Sequence, residues 1–164
     1  MRNRFAAAAA LSALLAFCCA PLSAAPEARP REATVRRVVD GDTFRIDGGE
    51  KVRLIGVNCP EYEPWKNYEQ PYGREAAEFS RGLLTGRRVR LVPDAEPLDR
   101  YGRTLAYVFL EDGRFVNLTL VEEGYARAKD YPPNSAHKKE LKDAEKRAKA
   151  AGKGLWAKRA AAAA

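Results

Sequence analysis

Histidine and cysteine are scarce in this chain, at one and three residues of 164, and each shortage closes off a chemistry. A lone His137, at the start of a strongly charged helical pattern, excludes mechanisms built on paired histidines or on a histidine-rich metal centre. It reads as a surface residue. Two of the cysteines, Cys18 and Cys19, sit in an N-terminal apolar segment. If that segment is removed, Cys59 has no internal partner, so no disulfide staples the fold and a packed core must hold it. There is no Gly-rich phosphate loop, Walker-type motif or nucleophile elbow, and no second long apolar run follows the first.

The two ends read differently from the middle. Arg2 and Arg4 precede an apolar stretch from Phe5 to about Cys19, then small residues in "APLSAAPEA". That order is a secretory signal peptide over residues 1–24, cut after Ala24, which makes the protein secreted or periplasmic. A lipoprotein anchor at Cys18 is a minority alternative, opposed by the bulky Phe17. Residues 25–32 read as a flexible arm and 159–164 as a low-complexity tail. One domain, residues 33–158, lies between them, expected to be monomeric and not inserted in a membrane. The leader carries two arginines and no acid, so its loss takes the net charge from +7 to +5. A secreted basic domain suits a polyanion, whether nucleic acid, anionic lipid or anionic glycan.

Between these ends, "ATVRRVV", "DTFRI", "KVRLIGV", "RRVRLV" and "TLAYVFL" are β-type runs. Asp40-Gly41, Asp47-Gly48-Gly49 and Asp112-Gly113 punctuate them, the last followed by "RFV". Five short strands so tightly connected predict a small barrel. Three helices are expected. The first puts Ala76, Phe79, Leu83 and Leu84 on one face and stops at Gly86. A short one is capped by Asn117 and stopped by Gly124. The last follows Pro132-Pro133, buries Leu141, Ala144, Ala148 and Ala151, and carries Asp143/Arg147 and Glu145/Lys149 pairs outside. The class is α+β.

The chemistry must then come from acids and arginines in turns. Asp40 and Gly41 read as hairpin residues, but a turn does not need the second acid, Asp42, whose carboxylate at a strand end is a hard-cation donor. Arg53 lies among Val52, Leu54 and Ile55 and needs an anion, because a buried unpaired charge costs several kcal/mol. That anion is an internal acid such as Asp42 or Glu61, or a substrate phosphate, which a guanidinium matches bidentately. Arg103 repeats the arrangement after Tyr101-Gly102. Two arginines, a cation and a carboxylate that orients water suit phosphodiester hydrolysis.

The combination "VVDGDT", "VRLIGVNCPE", "DRYGRTLAY", "VNLTLVEEGYA", "PPNSAH" and a final "GLW" resembles the staphylococcal (micrococcal) nuclease family, in order from about Ala33 to Trp156. The resemblance implies a five-stranded OB-fold β-barrel with three α-helices. It also implies a Ca²⁺-dependent endonuclease of low sequence specificity. Such an enzyme cuts the 5′ P–O bonds of DNA and RNA, leaves 3′-phosphate ends, and prefers single-stranded or frayed substrate. On this resemblance Arg53, Glu61 and Arg103 are catalytic: phosphate binder, base or water-orienting group, and transition-state stabiliser. Asp42, Asn58 and the backbone carbonyl of Cys59 hold the metal. Tyr101, Tyr131, Arg100 and Lys129 bind substrate.

Two positions depart from the family's pattern. Asn58 stands where a metal-binding aspartate is expected, which removes one charge and weakens calcium binding. Lys129 stands where a pocket tyrosine is expected and trades stacking for charge. The rival reading is an OB-fold module that binds nucleic acid without cutting it. Retention of Asp42, Arg53, Glu61 and Arg103 together favours the enzyme, since a binder gains nothing from an acid facing a polyanion. Cys59 reads as a small packing residue and Trp156 as docking the C-terminal end onto the helices. Trp65 and Tyr68 either contact nucleic acid or pack their loop down, and packing is the favoured reading.

Overall fold

The computed structural model describes residues 29–157; the expected leader, with Cys18 and Cys19, and the tail lie outside them. Five strands close a barrel: β1 (Arg31–Val38), β2 (Thr43–Ile46), β3 (Lys51–Leu54), β4 (Arg88–Val92) and β5 (Thr104–Leu110). Around the barrel the order is β1-β2-β3-β5-β4, with β4 returning to β1. All pairings are antiparallel except β3 with β5, where Arg53 stands opposite Leu105. This crossover defines the OB-type topology. Strand β1 begins at Arg31, with Arg31 against Leu91 and Glu32 against Arg90, so the expected arm ends two residues earlier.

Apolar residues alternate inward and fill the barrel. Val35, Phe44, Val52, Leu54, Val89, Leu91 and Val108 are all at or below 1 % exposure. A barrel this small leaves no lumen; its interior is side chain. Three helices cover it: α1 (Gly73–Leu84), α2 (Val116–Glu122) and α3 (Lys138–Ala150). Helix α1 buries Ala76, Ala77, Ser80 and Leu84, and α3 buries Leu141, Ala144 and Ala148. The expected face of α3 is right up to Ala151, which caps the helix and is exposed. Of the expected pairs, Glu145 meets Lys149 at 2.9 Å, but Asp143 is taken by Lys139 and Lys146, and Arg147 reaches across to Glu122 at 2.7 Å.

Two further expectations are corrected. The run "KVRLIGV" leaves the barrel after Leu54, and Val57–Asn58 pairs instead with Arg127–Ala128. That detour lifts Asn58 and Cys59 onto the barrel's mouth. Asn117 does not cap α2, which starts after Phe115 without a side-chain cap. It is fully buried, accepting the Val108 N–H at 3.0 Å and donating to the Ile55 carbonyl at 2.7 Å. A buried amide with partners on β5 and on the segment after β3 satisfies backbone groups that the detour would otherwise strand. No helix among the described residues is long and apolar enough to cross a membrane.

Candidate active site

At the open end of the barrel, Asp42, Arg53, Asn58 and Cys59 make a floor. Strand pairing places Arg53 opposite Thr43, directly after Asp42. The Arg53 guanidinium forms a close ion pair with the Asp42 carboxylate, at side-chain exposures of 13 % and 7 %. Its other terminal nitrogen donates to Asn58 Oδ1 at 3.2 Å. Asp42 is held from behind as well: its Oδ2 accepts the Cys59 N–H at 2.7 Å and its Oδ1 the Thr43 hydroxyl at 3.3 Å. Of the partners the sequence left open for Arg53, Asp42 is the one occupied.

Gly41 matters here for space and not for its turn. A Cβ on Gly41 would lie 2.6 Å from Cys59 Cβ, so glycine lets the Asp40–Asp42 turn press against Cys59. The buried Ser80 hydroxyl, donating to the Gly41 carbonyl at 2.6 Å, ties that turn to α1. Burial pushes the Cys59 thiol well above the ordinary range, which makes it a neutral packing residue. Burial also raises the Asp40 carboxyl, against the pull of Arg53.

The rim is built from two loops. A short hairpin, Tyr62–Glu63 with Tyr68–Glu69, carries Glu61 at its base. Gln70 brackets Glu61 by accepting its N–H at 3.0 Å and donating a backbone N–H to its carbonyl at 2.9 Å. Gly73 has no room for a side chain, since a Cβ there would lie 2.3 Å from the Glu61 carbonyl oxygen. The backbone is thus fixed while the Glu61 carboxylate has no hydrogen-bond or ion-pair partner among the described residues. Desolvation, then the charge of Asp40, pushes its proton affinity above that of an ordinary glutamate, with Arg53 and Arg103 pulling the other way.

The second loop holds Arg103. Asp99 Oδ1 accepts the N–H groups of Tyr101 and Arg103, each at 2.9 Å, and its Oδ2 accepts Arg103 Nε at 2.6 Å. Burial would raise the Asp99 carboxyl, but these donations outweigh it and hold it below the usual aspartate value. Only the terminal nitrogens of Arg103 remain for a ligand. Arg100 lies over the ring of Tyr101 at 4.8 Å, and Tyr101 is 68 % exposed.

Arg53, Arg100, Tyr101, Arg103 and Tyr131 line one cavity of about 460 Å³. The Tyr131 hydroxyl donates to Asn58 Oδ1 at 3.3 Å, joining this cavity to the floor. Lys129 does not line it; its N–H donates to the Gly56 carbonyl and its side chain is exposed. Trp65 and Tyr68 do not pack their loop down either. They are 59 % and 47 % exposed, because the hairpin is held by its own ladder and by Gln70. Trp156 does dock, under the side chains of Arg127 and Lys149.

A hard cation is the metal these donors fit. Asp42, Asn58 Oδ1 and the Cys59 carbonyl are all oxygens, converging on one floor beside Asp40. No cluster of three His, Cys, Asp or Glu side chains suited to a metal occurs among the described residues, so the charge for a cation comes chiefly from Asp42. The Asn58 amide now donates to the Cys59 carbonyl at 3.4 Å. It must turn away for both oxygens to serve one ion.

Sequence reasoning missed three supports: Asp99, Ser80 and Asn134. Asp99 had a signal, an acid four residues before Arg103 in "LDRYGR", the spacing of a side-chain-closed turn. Asn134 is buried and clamps Glu96 through both its amide atoms, at 2.8 and 2.9 Å; Ser80 and Asn134 carry no local signal.

A family described as "Staphylococcal nuclease homologue" matches residues 51–158. The chain is 47 % identical over 133 residues to a thermonuclease of Staphylococcus intermedius, covering 79 % of each chain. It is 42 % identical to a thermonuclease of Staphylococcus hyicus, covering 83 % of each. Endonuclease YncB of Bacillus subtilis (strain 168) is 37 % identical over 76 % of this chain and 61 % of its own length.

Proposed function

The chain belongs to the staphylococcal nuclease family, and on that premise we propose that it is an exported Ca²⁺-dependent nuclease. It hydrolyses phosphodiester bonds of DNA and RNA with low sequence specificity, cutting the 5′ P–O bond to leave 3′-phosphate ends. The observation that carries this reading is the arrangement of Arg53 and Glu61. The first is a guanidinium anchored at the barrel mouth; the second is a carboxylate on a fixed backbone with no partner of its own. The thermonuclease and endonuclease relatives support the same reading.

In this mechanism Arg53 and the terminal nitrogens of Arg103 grip the non-bridging oxygens of the phosphate and stabilise the charge that grows on them. Glu61 takes a proton from a water molecule, whose oxygen attacks phosphorus opposite the 5′ oxygen. The P–O5′ bond breaks and the departing oxygen takes its proton from solvent, since arginine is too weak an acid to supply one. The raised proton affinity of Glu61 makes it a better base than a free glutamate. Asp42, Asn58 Oδ1 and the Cys59 carbonyl would hold the calcium ion, which neutralises phosphate charge when bound. Tyr101, Tyr131 and Arg100 give the adjoining nucleotide a stacking and phosphate surface that reads no base edge in a groove, hence the low specificity and the preference for unpaired strands. Lys129 contributes at most long-range attraction from outside the cavity.

The test is cleavage of a single-stranded oligonucleotide with calcium and with excess chelator, followed by end-group analysis. The reading expects calcium-dependent cutting with 3′-phosphate products. Tight binding with no cutting at any calcium level overturns it in favour of a silent binding module.

A further inference from the structure

A second, larger groove of about 870 Å³ opens on the far side of Asn58, between the Glu61 hairpin, the start of α1 and the C-terminal Gly154–Trp156 turn. Asn58 lines it, while Arg53 and Tyr131, which donate to Asn58 Oδ1, line the smaller cavity. The two spaces therefore meet at the metal-and-phosphate floor. Across the short ladder Asn58 is paired directly with Arg127, so both side chains stand on one face of it, and Arg127 also lines the larger groove.

Arg127 is exposed and has no carboxylate within ion-pair distance among the described residues. What holds it is a ring: its guanidinium lies over Trp156 at 4.6 Å, with the Lys149 ammonium 4.4 Å from the same ring. The smaller cavity has a partial counterpart in Arg100, which lies over Tyr101, donates to its hydroxyl at 2.6 Å and has no acid partner among the described residues. The Arg127 guanidinium, held over an aromatic ring and with no side-chain hydrogen bond among the described residues, is pre-organised for an oxyanion at little entropic cost. Among the described residues, the only acid lining the larger groove is Glu75, exposed on the first turn of α1.

We propose that this groove is a second nucleotide subsite: it takes a phosphate of the same unpaired strand, beyond the one being cut, and Arg127 is its phosphate ligand. The inference rests on the nuclease reading above and extends it from one nucleotide to a strand crossing the floor at Asn58. Its consequence is a dependence on substrate length that the smaller cavity alone does not give.

The test compares a single-stranded octanucleotide with a nitrophenyl phosphodiester of one nucleotide, too short to reach Arg127. The unaltered protein, Arg127→Gln, Arg127→Lys and Glu75→Gln are assayed for kcat and KM. Octanucleotide binding is followed in parallel by fluorescence anisotropy over a salt series. Arg127→Gln is expected to raise the octanucleotide KM about fivefold with kcat unchanged, and to leave the short substrate unaffected. It should lower the salt slope of binding by about 0.7, the share of one phosphate on a single strand. Arg127→Lys restores the slope, and Glu75→Gln lowers the octanucleotide KM. An unchanged octanucleotide KM and slope in Arg127→Gln overturns the subsite. Should that variant lack a cooperative thermal transition, an unchanged KM in Glu75→Gln overturns it instead. If the unaltered protein cuts neither substrate, the catalytic reading fails, and the subsite then stands or falls on the anisotropy slope.

Discussion

The floor and the rim of the site are made by different parts of the fold and obey different rules. On the floor, Asp42 lies just before β2 and Arg53 on its partner strand β3, both nearly out of solvent, with their polar atoms engaged by each other and by Cys59, Thr43 and Asn58. On the rim, Glu61 and Arg103 sit in loops whose backbones are pinned by Gln70 and Asp99, while their working atoms face outward. On the proposed mechanism, function and folding share residues on the floor. On the rim they are separated, with the fixing done by neighbours and the proposed chemistry left to the tips.

The comparison is broken most directly at Arg53. Arg53→Gln should cost about 10³-fold or more in kcat. Without calcium it should also cost roughly 3 kcal/mol of stability, because it leaves the Asp42 carboxylate buried and unpaired. Calcium should restore part of that stability, which denaturant melts with and without the ion will measure. A rim residue should show no such calcium rescue.

Asp99→Asn acts on the rim's scaffold. Freed from Oδ2, Arg103 should lose its fixed direction and cost about 10- to 100-fold in kcat, with about 1 kcal/mol lost in stability. The pH sign follows from the lowered Asp99 value. Its contribution is complete above the ordinary aspartate pKa of about 3.9 and is lost as pH falls through its own lower value. Acid melts of the two proteins should therefore converge as the pH falls through that lowered value, and Asp99→Asn should flatten the acid limb of the unaltered protein.

Asn58→Asp sharpens the contrast from the floor. A second carboxylate beside Asp42 should lower the calcium needed for half-maximal cleavage by about tenfold, as charge count sets affinity. It also gives Arg53 a second acid, so apo stability should rise in chelator melts. The smallest effect is expected at the outer edge. Trp65→Ala should leave stability within about 0.5 kcal/mol, since its ring is 59 % exposed.

Much of this was legible from the residues. Period-2 runs with Asp-Gly and Gly-Gly turns gave the barrel strands, and Arg53 announced itself as a charge in an apolar strand. What was not legible depended on long-range contact. Nothing local told that "KVRLIGV" leaves the barrel after Leu54, because Ile55 and Val57 are as apolar as the strand before them and are buried elsewhere. Asn117 carries the local signature of a cap and spends its amide on β5 and the Ile55 carbonyl instead. Trp65 and Tyr68 depart from expectation for the opposite reason: large rings suggest burial, but the hairpin is held by its own hydrogen bonds. Lys129 rests on resemblance alone, and it is exposed and not among the residues that line the cavity.

The central claim is that Glu61 acts as the base on a substrate and metal held by other residues. Its most direct measurement is single-turnover cleavage of single-stranded DNA by the unaltered protein and by Glu61→Gln, at calcium levels saturating for each. If Glu61 is the base, the chemical step falls about 10²- to 10⁴-fold in Glu61→Gln, with calcium affinity, DNA binding and melting temperature nearly unchanged. Cleavage by Glu61→Gln at close to the original rate would contradict it.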